Sequence, residues 1–328
     1  MGKRHKCFLQ GIGSVMIILM LMGWCGQAES QAKYPTRAID IIVPFAPGGG
    51  ADLVNRIVTS YVKKNLGVPV NVINKPGGNT VPACLELYHA APDGYTLLGD
   101  NNPASSMLPI VVKNLPFKIM DRTFIAITSI SPMIIFVPSA SPIKSLKELE
   151  MEAKKSPENF TWTSMGGAGS HDFVARQFLK AIGVDVLKTK PVMCQGGSQA
   201  AALTAGGHVV MGMNSIPSSL AVIKGGMVRP LAITSKNRWP DLPDLPTTEE
   251  LGYPGIDYLY WNGTSGPPKL PPHVVEVWDK VLQEMLKDPE IISQLKNVGA
   301  IPFYRNAREA REYVLKEAEE VEKLWSLK

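Results

Sequence analysis

The chain has 328 residues, of which 34 are basic and 29 acidic, giving a formal net charge of +5; 45% are hydrophobic and four are cysteine. That length exceeds one small core and suits two α/β lobes. So small a charge excess, with no basic run past the first residues, excludes nucleic acid and anionic membrane surfaces as partners.

Lys3, Arg4 and Lys6 lead into an apolar run over 12–22, followed by the small residues Gly26 and Ala28. This is the pattern of a secretory signal peptide over 1–28, because the run is well short of the ~20 residues a spanning helix needs. Cleavage after Ala28 removes three positive charges and leaves 31 basic against 29 acidic residues, a net +2. The expected location is the periplasm. Cys84 and Cys194 remain in the mature chain; a bridge between them is open in an oxidising compartment, and two buried thiols are the simpler reading.

The run Ile39-Asp40-Ile41-Ile42-Val43-Pro44-Phe45-Ala46-Pro47-Gly48-Gly49-Gly50-Ala51-Asp52 reads as a β-branched strand, a glycine turn and a helix start. Leu53, Val54, Ile57, Val58, Tyr61 and Val62 share one helical face, and Gly67 stands where a C-terminal cap belongs. A helix start carries free N–H groups and partial positive charge, so the favoured visitor is an anion. A strand over 68–73, a turn through Pro76-Gly77-Gly78-Asn79, a helix over 80–90 and a strand over 95–98 ending at Asp100-Asn101-Asn102 follow. Strands are expected over 124–129 and 134–137, and a helix over 145–155.

A second strand–glycine–helix unit then appears, with a strand over 160–164, the turn Met165-Gly166-Gly167-Ala168-Gly169-Ser170 and a helix from His171 to Gly183. A third has a strand over 191–194, the turn Gln195-Gly196-Gly197-Ser198 and a helix over 199–205. A strand over 209–213 ends at Asn214-Ser215, and a helix over 218–224 and a strand over 229–234 come next. The tail is helical over 271–286, over 289–297 behind Asp288 and Pro289, and beyond Asn306, where Asn306 and Glu309 outline a capping box. The alternation implies an α/β fold with mainly parallel sheets and ligand turns at the strand ends. Two anion-friendly turns about 120 residues apart imply opposing lobes that close around a small ligand, the hinge mode of periplasmic binding proteins.

Tyr34-Pro35, Ile41-Ile42-Val43-Pro44-Phe45-Ala46-Pro47-Gly48-Gly49, Pro76-Gly77-Gly78, Ala91-Pro92-Asp93-Gly94-Tyr95-Thr96-Leu97-Leu98, Gly206-Gly207-His208-Val209, Arg229-Pro230-Leu231-Ala232, Leu245-Pro246-Thr247 and Glu249-Glu250-Leu251-Gly252 stand in one order along the chain. Together they resemble the solute receptors of tripartite tricarboxylate transporters, the Bug receptors. The resemblance implies a two-lobed periplasmic binding protein of type II topology, with two hinge crossings and the ligand cleft between lobes. Residues 33–133 and 236–328 would form lobe one and 134–235 lobe two. It also implies capture of a small organic carboxylate, transient delivery to a two-subunit membrane permease, a monomeric state, no cofactor, no metal and no catalysis.

By the same resemblance the carboxylate lies between two loops. The first is assigned Ala46, Gly48, Gly49, Gly50, Ala51 and Asp52, and the second Met165, Gly166, Gly167, Ala168, Gly169 and Ser170. Backbone N–H groups do most of the binding; Asp52 caps the helix start and orients the loop. Asn79, Asn101 and Asn214 are placed to reach the other end of the ligand. The sequence departs from the family pattern at Phe173, at Met193-Cys194-Gln195 and at Val210, so ligand identity does not carry over; the wall around Met193 and Cys194 suggests a carboxylate with an apolar body.

A hydrolase is the competing reading. Gly196-Gly197-Ser198-Gln199-Ala200 approximates a nucleophile elbow, which would make Ser198 the nucleophile. Against it, Ala200 replaces the last glycine, and His208 and His273 fit the usual triad order poorly. A helix cap by Ser198 is the plainer role.

Overall fold

The computed structural model describes residues 33–325, so the signal peptide expected over 1–28 lies outside the described residues. Arg37 onward forms one compact unit, to which all that follows refers.

Strand β1 (Ile39–Val43) is buried on both faces because it runs parallel between β2 (Val70–Asn74) and β3 (Thr96–Asn101). That explains its almost unbroken β-branched sequence. Helix α1 (Gly50–Leu66) follows and buries Val54, Val58 and Val62. It stops at Gly67, whose φ of 70° is left-handed and whose N–H donates to Lys63 O. Helix α2 (Val81–His89) links β2 to β3, and a short α3 (Leu108–Val111) follows β3.

Strand β4 (Arg122–Pro138) corrects the expectation of two separate strands: it is one element of 17 residues. Its first part pairs antiparallel with β9 (Leu259–Pro268) and β10 (Ile301–Asn306), and its last part, from Met133, pairs antiparallel with β7 (Gly212–Ser215) and β8 (Val228–Ile233). Pro132 looks like a breaker in the sequence, yet it sits where β4 changes partners and a missing N–H costs least. The order β10-β4-β9-β3-β1-β2 makes the large sheet mixed rather than mainly parallel, because β4, β9 and β10 run antiparallel to their neighbours. Strands β5 (Thr161–Ser164) and β6 (Lys190–Met193) form a separate parallel pair.

The remaining helices are α4 (Leu146–Lys155), α5 (Ser170–Ala181), α6 (Gly197–Ala205), α7 (Ile216–Lys224), α8 (Pro272–Met285), α9 (Pro289–Asn297) and α10 (Ala307–Trp325). The capping box at α10 is reciprocal: Glu309 N donates to Asn306 Oδ1 at 3.0 Å and Asn306 N to Glu309 Oε2 at 3.1 Å. Strands β9 and β10 were not expected, and β7 begins three residues later than the strand read over 209–213. One apolar core gathers Ile42, Leu98, Phe124 and Trp261; another gathers Trp162, Phe178, Met211 and Ile135. Cys84 and Cys194 are both buried and unbridged. No helix among the described residues is long and apolar enough to cross a membrane.

Thr234, fully buried just after β8, ties the crossing segments together. Its hydroxyl donates to Tyr258 O at 2.7 Å and accepts from Met133 N at 2.9 Å. The partner change in β4 and the entry into β9 are therefore pinned at one point.

Candidate anion-binding site

The first loop connects β1 to α1. Gly48 has φ +77°, a left-handed value that favours glycine, and Gly49 is the N-cap in extended geometry. Asp52 is buried and reaches back to accept from Gly48 N at 2.9 Å, from Arg56 Nε at 2.9 Å and from Asn74 Nδ2 at 2.9 Å. Burial disfavours its charge, but these hydrogen bonds outweigh that effect and hold its pKa below the ordinary value. The N-cap is Gly49 rather than Asp52, which acts on the turn by occupying the Gly48 amide. Ala46 N donates to Gln195 O at 3.3 Å, and Gly50 N donates to Ser218 Oγ at 2.6 Å. The N–H groups of Gly49, Ala51 and Asp52 have no acceptor among the described residues.

The second loop, between β5 and α5, repeats the device. Asp172, 3% exposed, stands at the third position of α5 as Asp52 does in α1. It accepts from Met165 N at 2.9 Å, Gly167 N at 3.1 Å and Ser164 Oγ at 2.5 Å, while Gly166 N donates to Ser164 Oγ at 3.1 Å. Burial pushes the pKa of Asp172 up against the pull of those bonds. What remains without an acceptor among the described residues is the N–H set of Ala168, Gly169, Ser170, His171 and Asp172. Gly49-Gly50-Ala51-Asp52 and Gly169-Ser170-His171-Asp172 share a spacing that signals this paired construction, and the sequence reading passed over it.

His171 packs at the same helix start. Its Nε2 lies 3.3 Å from Asn214 Oδ1 and its Nδ1 3.3 Å from Thr163 Oγ1. Burial lowers its pKa to about 4, so the ring is neutral at pH 7. Ser170 Oγ is 3.0 Å from the Tyr258 hydroxyl. Asn214 Nδ2 donates to Gly197 O at 2.7 Å, which orients the first turn of α6.

Four helix N-termini, those of α1, α5, α6 and α7, contribute to the wall of one chamber of about 20 Å³. Gly49, Gly50, Ala51, Ser170, His171, Gly197, Asn214, Ser215 and Ser218 line it. Each terminus contributes roughly half a positive charge, and no cationic side chain among the described residues lines the chamber. Phe45 and Met165 separate it from a second cavity of about 360 Å³, which Asn79, Gly166, Ala168, Gly169, Met193 and Gln199 help to line. Of the residues assigned from sequence, Gly49, Gly50, Ala51, Met165, Ser170 and Asn214 line the chamber; Met165, Gly166, Ala168, Gly169 and Asn79 line the larger cavity. Ala46, Gly48, Asp52, Gly167 and Asn101 line neither. Asn101 is fully buried behind the site, where its Oδ1 accepts from Ala104 N.

Ser198 is neither helix cap nor part of a triad. Gly196 is the N-cap of α6, and the Ser198 hydroxyl donates to Pro47 O at 3.1 Å, joining α6 to the first loop. No histidine pairs with Ser198 among the described residues. Trp261 belongs to the core: it is 1% exposed and donates from Nε1 to Glu317 Oε2 at 3.0 Å.

The mixed sheet, the shared long strand and the facing helix starts are those of a periplasmic solute-binding protein. The tripartite tricarboxylate transporter family receptor model matches residues 54–326, and the chain belongs to that family. It is 26% identical over 290 residues to protein BugT of Bordetella pertussis, covering 88% of each chain. It also superposes on the periplasmic binding protein BugD with a TM-score of 0.84 at 28% identity, covering 89% of this chain and 98% of that one. The malate-bound MatC structure of Rhodopseudomonas palustris gives a TM-score of 0.84 at 24% identity over 89% and 99% of the two chains, a likeness of fold alone. The family and fold are those of receptors rather than enzymes.

Proposed function

We propose that this chain is a periplasmic receptor that holds one carboxylate group of a small organic acid between two lobes and delivers the acid to a two-subunit membrane permease. The lobes are 33–133 with 236–328, and 134–235. The partner change of β4 after Pro132 and the Thr234 bracket support that division. The observation that carries the proposal is the convergence of four helix starts on one chamber, with eight loop and helix-start amides lacking an acceptor among the described residues.

In the structure the first loop touches the starts of α6 and α7 directly, through Ser198 Oγ to Pro47 O and Gly50 N to Ser218 Oγ. The chamber, at about 20 Å³, barely exceeds the ~10–15 Å³ that one water needs. A carboxylate therefore enters with the lobes parted, and closure brings both amide sets onto it. Each such bond contributes roughly 1.5–3 kcal/mol, and a few of them support micromolar binding, about −8 kcal/mol.

Calorimetric titration of the dialysed protein with mono-, di- and tricarboxylates, each beside its uncharged primary amide, tests the reading. At least one acid should bind and its amide should not. Equal binding of acid and amide, or no acid binding below ~1 mM, about −4 kcal/mol, rejects it.

A further inference from the structure

We propose that the end of α10 is a clasp between the lobes: Trp325, gripped by α5, holds that helix against lobe one and biases the unliganded receptor toward its closed arrangement. This rests on the lobe division and the cleft proposed above.

One helix serves both apolar cores. Ala310 and Val314 of α10 pack with Ile42, Leu98 and Trp261, while Val321, with Leu324 and Trp325 beside it, packs with Trp162, Phe178 and Met211. At about 1.5 Å per residue, Ala310 and Val321 stand roughly 16 Å apart along the helix axis, far enough to reach from one core to the other. Between them Glu317 fastens α10 to lobe one: its carboxylate accepts from Ser106 Oγ at 2.5 Å, from Trp261 Nε1 at 3.0 Å and from Asn102 Nδ2.

The end of the helix meets α5. The Trp325 ring lies 6.1 Å from that of Phe173 at an interplanar angle of 13°, and the Arg176 guanidinium stands 4.6 Å from the Trp325 ring centre. Phe173 and Arg176 are three apart on α5 and so share a face. Phe173 in turn packs at 4.9 Å against Tyr258, whose hydroxyl is 3.0 Å from Ser170 Oγ in the chamber wall. Tyr258 N donates to Thr234 O at 3.0 Å and Tyr258 O accepts from Thr234 Oγ1 at 2.7 Å. The column Trp325–Phe173–Tyr258 thus joins α10, the helix of the second loop and the crossing segment.

Glu317 fixes α10 to lobe one and Phe173 belongs to lobe two, so parting the lobes displaces the Trp325 contacts. They are made in the closed arrangement, and losing them favours the open one. Aromatic and cation–π contacts of this kind support a shift of ~10-fold in such an equilibrium, about 1.4 kcal/mol.

Iodoacetamide labelling, read site by site by mass spectrometry, reports opening without any ligand. Cys194, 7% exposed, lines the larger cavity together with Phe45 and Asn79 of lobe one and Met165 of lobe two. Cys84 lies within the lobe-one core and serves as the reference. Trp325→Ala should speed labelling of Cys194 by ~10-fold and leave Cys84 unchanged. Trp325→Phe, which keeps a stacking ring, should restore most of the protection. Equal Cys194 rates in the parent and Trp325→Ala overturn the clasp. A parallel rise at Cys84 also overturns it, because Trp325 would then support overall stability alone. No acid enters the experiment, so the calorimetric test of carboxylate binding can fail while the clasp holds, and the reverse.

Discussion

Gly49→Asp tests the site most directly. Gly49 has φ −79° and ψ 167°, extended geometry open to any residue. A Cβ there would lie 3.5 Å from Ala46 O, 3.5 Å from Gly197 N and 3.6 Å from Ser198 N, all ordinary contacts. Aspartate is favoured at N-caps, a few tenths of a kcal/mol better than glycine. The new carboxylate would sit over the free amides of Ala51 and Asp52 and face the start of α6, where the ligand carboxylate is placed. The variant should therefore fold with unchanged or slightly higher Tm while acting as its own tethered ligand. Loss of two charge-assisted hydrogen bonds at ~1.5–3 kcal/mol each removes about 3–6 kcal/mol of binding, a drop of roughly 10²–10⁴ in affinity. Calorimetry with whichever acid the parent binds reads this loss, and Gly49→Asn, with the same shape and no charge, separates charge from bulk. A folded Gly49→Asp protein that binds the acid as tightly as the parent would refute the cradle. Gly169→Asp is a poorer test, since a Cβ there would lie 2.5 Å from Met165 Cβ and 2.9 Å from Asp172 Oδ2.

His171 should make stability depend on pH. Its folded pKa, about 4, lies below its ordinary 6.5, so the unfolded chain binds more protons in that window and stability falls as pH drops from 6.5 toward 4, by roughly 3 kcal/mol in all. Urea unfolding of the parent and His171→Gln at pH 7, 5.5 and 4.5 should show a flatter profile for the variant; parallel profiles would exclude His171 as the source. Gly166→Ala combines a φ of +91° with a Cβ 2.5 Å from Asn79 Oδ1, so it should weaken ligand binding at least ~10-fold by opposing the closed loop contact, and unaltered binding would show that the contact does not belong to the bound state. Thr234→Val leaves Met133 N and Tyr258 O short of partners at a cost of about 2–6 kcal/mol in urea unfolding; a loss under ~0.5 kcal/mol, the range of an ordinary surface change, would show that the bracket does not hold the crossing.

Local pattern was legible where each residue answers to its immediate neighbours. The strand at Ile39–Val43, the Gly67 stop, the Asp288 cap and the Asn306–Glu309 box are all set within a few positions of the chain. Strand β9 was not legible, because its glycines and prolines serve a distant partner. A Cβ on Gly263 would stand 2.4 Å from Ala126 O, so glycine is required there by the close approach of β4 and not by a turn. Tertiary packing overrides local preference at that point, and the same override accounts for the mixed sheet.

The site divides along the same line. Two glycine turns are visible because a helix start and its loop are contiguous, but which of their amides face a ligand depends on side chains that take the others. Asp52 and Asp172 withdraw Gly48, Met165 and Gly167, and Ser218, 168 residues away, withdraws Gly50. A buried carboxylate behind each proposed anion cradle looks self-defeating until those bonds are counted. Each aspartate binds amides of its own loop, and so leaves the helix-start amides as the ones without an acceptor among the described residues. On the proposed reading the helix-start amides set where a ligand's carboxylate gains most, while the Ala168 and Gly169 amides and the carboxamides of Asn79, Gln195 and Gln199 leave further donors along the larger cavity.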